Sequence, residues 1–160
     1  MNGSVRLEFD LAKAKKLYLY NVDGAGYNEV RKIDLGYDES LGAGYKIIAL
    51  TNFVGSMDVG VNHQEQFFSN GTSKTYQAFR IGEQMNWKIS PKLMLDQKFE
   101  YYQRFTGWED YRLRFEANLK YLVMPNITLN LTGIDLYDTQ PAPGVTRNDL
   151  LLRASVGVAF

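Results

Sequence analysis

The strongest constraint on this chain is a period of two that runs through its C-terminal third. Leu150, Leu152, Ala154, Val156, Val158 and Phe160 fall on one side, and Asp149, Leu151, Arg153, Ser155, Gly157 and Ala159 on the other. Residues 110–123 repeat the pattern. Tyr111, Leu113, Phe115, Ala117, Leu119, Tyr121 and Val123 alternate there with Arg112, Arg114, Glu116, Asn118 and Lys120. A helix would scatter these charges around its axis, whereas a strand collects every second residue on one face.

Weaker versions of the alternation cover residues 4–11, 33–47, 56–67, 75–89 and 93–105, with Glu83 and Gln97 as misfits on the apolar side. Segment 16–28 has no cleanly apolar parity. Segment 127–137 begins well but loses phase near Gly133, which predicts a bulge there. Ser90-Pro91-Lys92 and Met124-Pro125-Asn126 read as tight turns, and 12–15 and 51–55 as short links. Arg31-Lys32, Asn70-Gly71-Thr72, Thr106-Gly107 and Gln140-Pro141-Ala142-Pro143-Gly144 mark the opposite ends. About nine strands result, most of them longer than the roughly 9–11 residues that cross a bilayer.

The whole chain reads as a single domain, 1–160. Its fold class is all-β, an antiparallel up-and-down transmembrane β-barrel of about 8–10 strands. Bacterial single-chain barrels usually have an even strand number. An odd count therefore predicts an N-terminal truncation, with residues 1–14 an extra strand or the remnant of a missing one. The alternative is eight closing strands preceded by a plug or loop.

Equal numbers of basic and acidic residues, 18 of each, argue against a nucleic-acid partner. The absence of cysteine removes disulfides and thiolate metal sites. No apolar run approaches the roughly 18 residues of a spanning helix. Met1-Asn2-Gly3-Ser4 leads straight into an alternating segment without a signal peptide.

Alternation alone does not say which face meets the core, and a soluble lipid-binding barrel alternates too. Two features favour the membrane. One face carries dense charge of both signs: Asp96, Lys98, Glu100, Arg104, Arg112, Arg114, Glu116, Lys120 and Arg153. Inside a small barrel these side chains could neutralise one another as a lumen network. The apolar face ends in aromatics, with Trp87, Tyr121 and Phe160 near one rim and Phe67, Phe105, Trp108 and Tyr111 near the other. Interfacial girdles have that arrangement.

Three segments and the chain end carry a family resemblance. They are Gly42-Ala43-Gly44-Tyr45, Asp110-Tyr111-Arg112-Leu113-Arg114 and Tyr137 through Val145, with the ending Asn148-Asp149-Leu150 to Gly157-Val158-Ala159-Phe160. In these the chain resembles the YdiY-like salt-induced outer membrane protein family, a domain of unknown function. The resemblance implies an outer-membrane barrel with membrane lipid as its surroundings, and it carries over no catalytic residue. The terminal Phe160 resembles the signal by which barrel-assembly machinery engages a C-terminal strand.

The remaining motifs support no enzyme. His63, with Glu65 and Asp58 nearby in sequence, invites comparison with membrane-surface hydrolases acting on lipid or peptide. An exposed rim position accounts for it more simply. Gly24-Ala25-Gly26-Tyr27 and Gly42-Ala43-Gly44-Tyr45 lack the third glycine and the helix of a dinucleotide site, so they read as strand glycines. No metal or cofactor is expected. The lumen charges either fill a closed barrel or set the selectivity of a narrow pore for small solutes.

Overall fold

The computed structural model describes residues 2–11, 16–29, 31–141 and 144–158. Nine strands follow in chain order: β1 (Asn2–Asp10), β2 (Leu17–Asn28), β3 (Ile33–Ala49), β4 (Phe53–Phe68) and β5 (Ser73–Ser90), then β6 (Leu93–Arg104), β7 (Tyr111–Met124), β8 (Ile127–Asp138) and β9 (Asn148–Val158). Each pairs antiparallel with the next, so one sheet runs from β1 to β9 without a crossover. The expected up-and-down topology is the one observed.

Among the described residues no ladder joins β1 to β9, yet the sheet is strongly rolled. Arg6 on β1 donates to Asp58 on β4 at 3.1 Å, and Arg112 on β7 donates to Gln64 on β4 at 2.7 Å. Arg31, between β2 and β3, donates to the Leu136 carbonyl on β8 at 3.2 Å. In a flat sheet these strands would lie several spacings of about 4.8 Å apart. Only curling brings such side chains together.

The rolled sheet turns the usual polarity inside out. Leu131, Val61 and Val5 on the outer face are 54%, 54% and 61% exposed, whereas Arg80 and Asp58 on the inner face are 1% and 2% exposed. The question left open by alternation is thereby answered, since a soluble barrel would bury the aliphatic set. Water on both sides would make this outer face very unfavourable, because exposed apolar area costs about 25 cal/mol per Å².

β2 shows why its parity was unreadable. Tyr18 and Tyr20 point inward and are buried, while Leu19 shares the outward face with Asn21 and Asp23, so neither face is cleanly apolar in sequence. Space for the two tyrosines comes from glycines on the facing strands. A Cβ at Gly44 would overlap the Tyr18 ring, and one at Gly42 would meet the Tyr20 ring and the backbone of Gly60.

Two expectations need correction. The register of β8 passes unbroken through Gly133 against both neighbours, from Arg112↔Asp138 to Leu122↔Thr128 on β7, so no bulge lies there. The polarity changes instead because Ile134 and Leu136 take inward places opposite Glu116 and Arg114. The link at 51–55 is also shorter than expected. β4 begins at Phe53, whose carbonyl accepts from Leu50 N at 2.8 Å.

Turn lengths distinguish the two ends of the sheet. Residues 91–92 and 125–126 make tight turns at one end, the first held by the Ser90 hydroxyl accepting from Lys92 N and Leu93 N at 3.2 and 3.1 Å. Longer connections at 105–110 and after Asp138 lie at the other end. Gly71 adopts a positive φ of 78° in the β4–β5 turn, a conformation that glycine takes without strain.

Candidate functional site

The inner face carries the polar chemistry of this chain, and Arg80 on β5 is its centre. Its Nε and Nη2 donate to Glu100 Oε1 on β6 at 3.2 and 2.8 Å. Its Nη1 donates to the Tyr20 hydroxyl on β2 at 2.8 Å and pairs with Asp58 on β4. Asp58 also receives Arg6 from β1. Both guanidinium groups lie over the Tyr20 ring, Arg6 at 4.7 Å and Arg80 at 5.1 Å from its centroid. Glu100 is also approached by Lys98 at 3.1 Å and by Arg114 at 3.8 Å. Charges of both signs interlock here, as low dielectric requires.

A second group sits between this cluster and the rim. Arg112 donates to Gln64 at 2.7 Å, lies 3.4 Å from Asp38 and stacks 4.3 Å over the Tyr102 ring. Asn62 ties Asp38 to Ser40 at 2.7 and 3.0 Å. Toward the tight-turn end, Lys120 meets Asp96 at 2.6 Å, and Asn86 donates to the same carboxylate at 2.9 Å.

A third group closes the long-loop end. Arg104 forms a two-pronged pair with Asp138 at 3.0 Å on both prongs and also donates to Asp110 at 2.7 Å. Its guanidinium lies 4.0 Å over the Tyr76 ring. Arg31 approaches Asp138 at 3.6 Å and Asp149 at 3.7 Å. The β2–β3 turn is thus held against β8 and β9 by charge.

Burial alone would push the Asp110 carboxyl up, but the Thr106 hydroxyl and Arg104 hold it below the usual carboxylate range. A lowered folded pKa adds stability that is complete above the unfolded value and is lost as pH falls through the folded one. Acidification through and below the ordinary carboxylate range is therefore expected to loosen the long-loop end. Protease nicking near residues 105–110, followed against pH, checks this. Asp110→Asn should flatten the profile.

Of the nine network residues expected from sequence, eight are engaged as described: Asp96, Lys98, Glu100, Arg104, Arg112, Arg114, Glu116 and Lys120. Glu116 accepts from Arg114 at 2.8 Å. Arg153 is not brought in. It is exposed on β9 opposite Thr132 and makes no ion pair among the described residues. Phe160 lies outside the described residues. Sequence reasoning left Arg80, Arg6, Tyr20, Asp38, Asp110, Asp138 and Arg31 out of the network and read Asp58 only as a companion of His63. Most of these share the even parity of the inner face, which was the available signal.

His63 is exposed on the outer face of β4, opposite Glu39 on β3 and Gln77 on β5. Asp58 faces the other way and is held by Arg80 and Arg6. The strand therefore places the histidine and this carboxylate on opposite sides of the sheet. Among the described residues no group of three or more His, Cys, Asp or Glu side chains is arranged to hold a metal ion.

An inverted, rolled, all-antiparallel sheet with a charged interior invites comparison with known families. The family profile described as "Protein of unknown function, DUF481" matches residues 1–160. The chain belongs to the DUF481 family. This is the grouping toward which the Gly42–Tyr45 and Asp110–Arg114 motifs pointed. A search of curated proteins returned no match. Among solved structures the chain is similar to the NanC porin in its rhombohedral crystal form. The TM-score is 0.65 at 10% identity, with 99% of this chain and 79% of the porin covered. At that identity the likeness speaks for the fold shared by this DUF481 member and the porin.

Proposed function

We propose that this DUF481 chain is an outer-membrane β-barrel protein with a structural or narrow-pore role in the cell envelope. The carrying observation is the polarity inversion, aliphatic outside and ion-paired inside, which suits lipid around the sheet and a polar lumen within. The porin-like fold supports the same reading. Catalysis has no part in it. Membrane lipid is the immediate surrounding, and the C-terminal strand ending at Phe160 is what the barrel-assembly machinery would engage.

Side chains from β1 to β8 meet across the lumen, which favours a filled or narrow channel over an open one. Small solutes are then the only cargo such a passage could admit. Two measurements test the reading. Cell fractionation should place the protein in the outer membrane, and recovery in the soluble periplasmic pool would overturn the assignment.

Planar-bilayer recordings should show little or no conductance for the native chain. Arg112→Ala removes the bridge to Gln64 and Asp38 between the central cluster and the long-loop rim, and its expected effect is a severalfold rise in conductance. Unchanged currents in that variant would mean that the passage is shut elsewhere.

A further inference from the structure

Toward the long-loop end the outer face carries Asp23, Glu39, His63 and Glu65 on β2 to β4, while on β5 to β7 it is apolar through its middle except at Glu83 and Gln97. Glu83 points outward about halfway between Ser73 and Ser90. Its outward neighbours are Ile81 and Met85 on its own strand, Met57 across on β4 and Phe99 across on β6. One step along, Gln97 on β6 lies outward between Met85 on β5 and Ala117 on β7, and Gly133 on β8 continues that row.

Neither Glu83 nor Gln97 makes a side-chain hydrogen bond or ion pair among the described residues. Asp135, the outward acid on β8, differs. It lies near the end of its strand, beside Asn148, whose amide donates to it at 2.7 Å in the orientation that also satisfies the Leu136 carbonyl, with oxygen and nitrogen exchanged. Hydrocarbon offers a carboxyl no partner, and polar groups at mid-membrane are consequently rare unless another protein surface satisfies them.

From these observations we propose that the outward patch of β5 to β8 around Glu83 and Gln97 is the interface of a homodimer formed within the membrane. The inference rests on the membrane-barrel reading above. A second copy of this chain fits because the patch contains one acceptor and one donor. A two-fold axis sets the Gln97 amide of one copy on the Glu83 carboxyl of the other, and does so twice. Ala117 and Gly133 present no long side chain beside that pair, so the two sheets can approach closely.

The test uses the full chain refolded in micelles and in lipid vesicles. The native sequence contains no cysteine, so single replacements report cleanly. Ala117→Cys, oxidised with copper-phenanthroline, should give a crosslinked dimer, while Val61→Cys on the outer face of β4 should not. Light scattering after gel filtration should give a dimer mass for the native chain. It should give a monomer mass for Glu83→Leu combined with Gln97→Leu, with the heat-shifted band of a folded barrel retained.

A native chain that shows the heat shift but stays monomeric overturns the dimer and leaves the barrel reading intact. A dimer that survives the double replacement, or crosslinks equally through Val61→Cys, overturns the assigned face. A native chain with no heat shift removes both readings.

Discussion

Arg80→Ala is expected to lower folding stability by about 3–5 kcal/mol, the range for removing one partner from a buried ion pair. The reason lies in what remains. Asp58 and Glu100 are 2% and 4% exposed and reach Arg80 from neighbouring strands on either side of β5. Without the guanidinium the two carboxylates face each other across a cavity, and Tyr20 loses the donor to its hydroxyl.

Arg80→Lys keeps the charge but cannot reach Glu100, Tyr20 and Asp58 together, since an ammonium lacks the planar fork. Its loss should be smaller but measurable. Urea unfolding in lipid vesicles, followed by the fluorescence of Trp87 and Trp108, gives both numbers. A loss below about 1 kcal/mol for Arg80→Ala would match an exposed pair. The cluster would then be hydrated in the membrane.

Asp58 and Arg80 also show which part of the site was legible beforehand. On β6 and β7 every inner position from Asp96 to Arg104 and from Arg112 to Lys120 except Tyr102 is polar, so the charged face announces itself. β4 and β5 mix Gly60, Ala78 and Gly82 with their charges, and the same face looks diluted. The glycines are needed because the charges there are largest and most crowded. A Cβ at Gly82 would overlap the Asp58 carboxylate and press on Arg80. The strand count and up-and-down topology were legible, since both follow from local periodicity and turn residues, whereas the start of β4 at Phe53 was not.

Which face points inward was not legible from alternation, which is symmetric under exchange of the two faces; the dense mixed charge and the aromatic rims were what decided it. The ninth inner charge, Arg153, was assigned by parity alone. It has the inward parity without a carboxylate in reach, because its register partner on β8 is Thr132. Parity chooses a face but not a neighbour. The neighbours come from register and from curling, and neither can be read from one strand at a time. Arg31 is the clearest case: a turn residue with no strand parity, joined to β8 and β9 only once the sheet has rolled.

The second large effect is expected at the paired glycines of β3 and β4. Gly42 lies directly opposite Gly60 in the register, and an added Cβ at either position meets backbone of the other strand as well as Tyr20. Backbone cannot swing aside, so Gly42→Ala should cost at or beyond the upper end of the roughly 1–3 kcal/mol usual for overpacking. A block to refolding, read as loss of the heat-shifted band, is the expected outcome.

Gly44→Ala is the informative comparison. There the three atoms nearest to the added methyl all belong to the Tyr18 side chain, whose hydroxyl has no hydrogen-bond partner among the described residues. Its cost should fall within the same range, about 1–3 kcal/mol, and should largely vanish in a Tyr18→Leu background, where the ring is gone. A double-mutant cycle measures that coupling. Rescue at Gly44 with no rescue of Gly42→Ala by Tyr20→Leu would separate the two glycines physically. Gly44 makes room for a side chain, whereas Gly42 also sets the approach of two strands. That approach seats Tyr20, and Tyr20 in turn holds Arg80 between its two carboxylates.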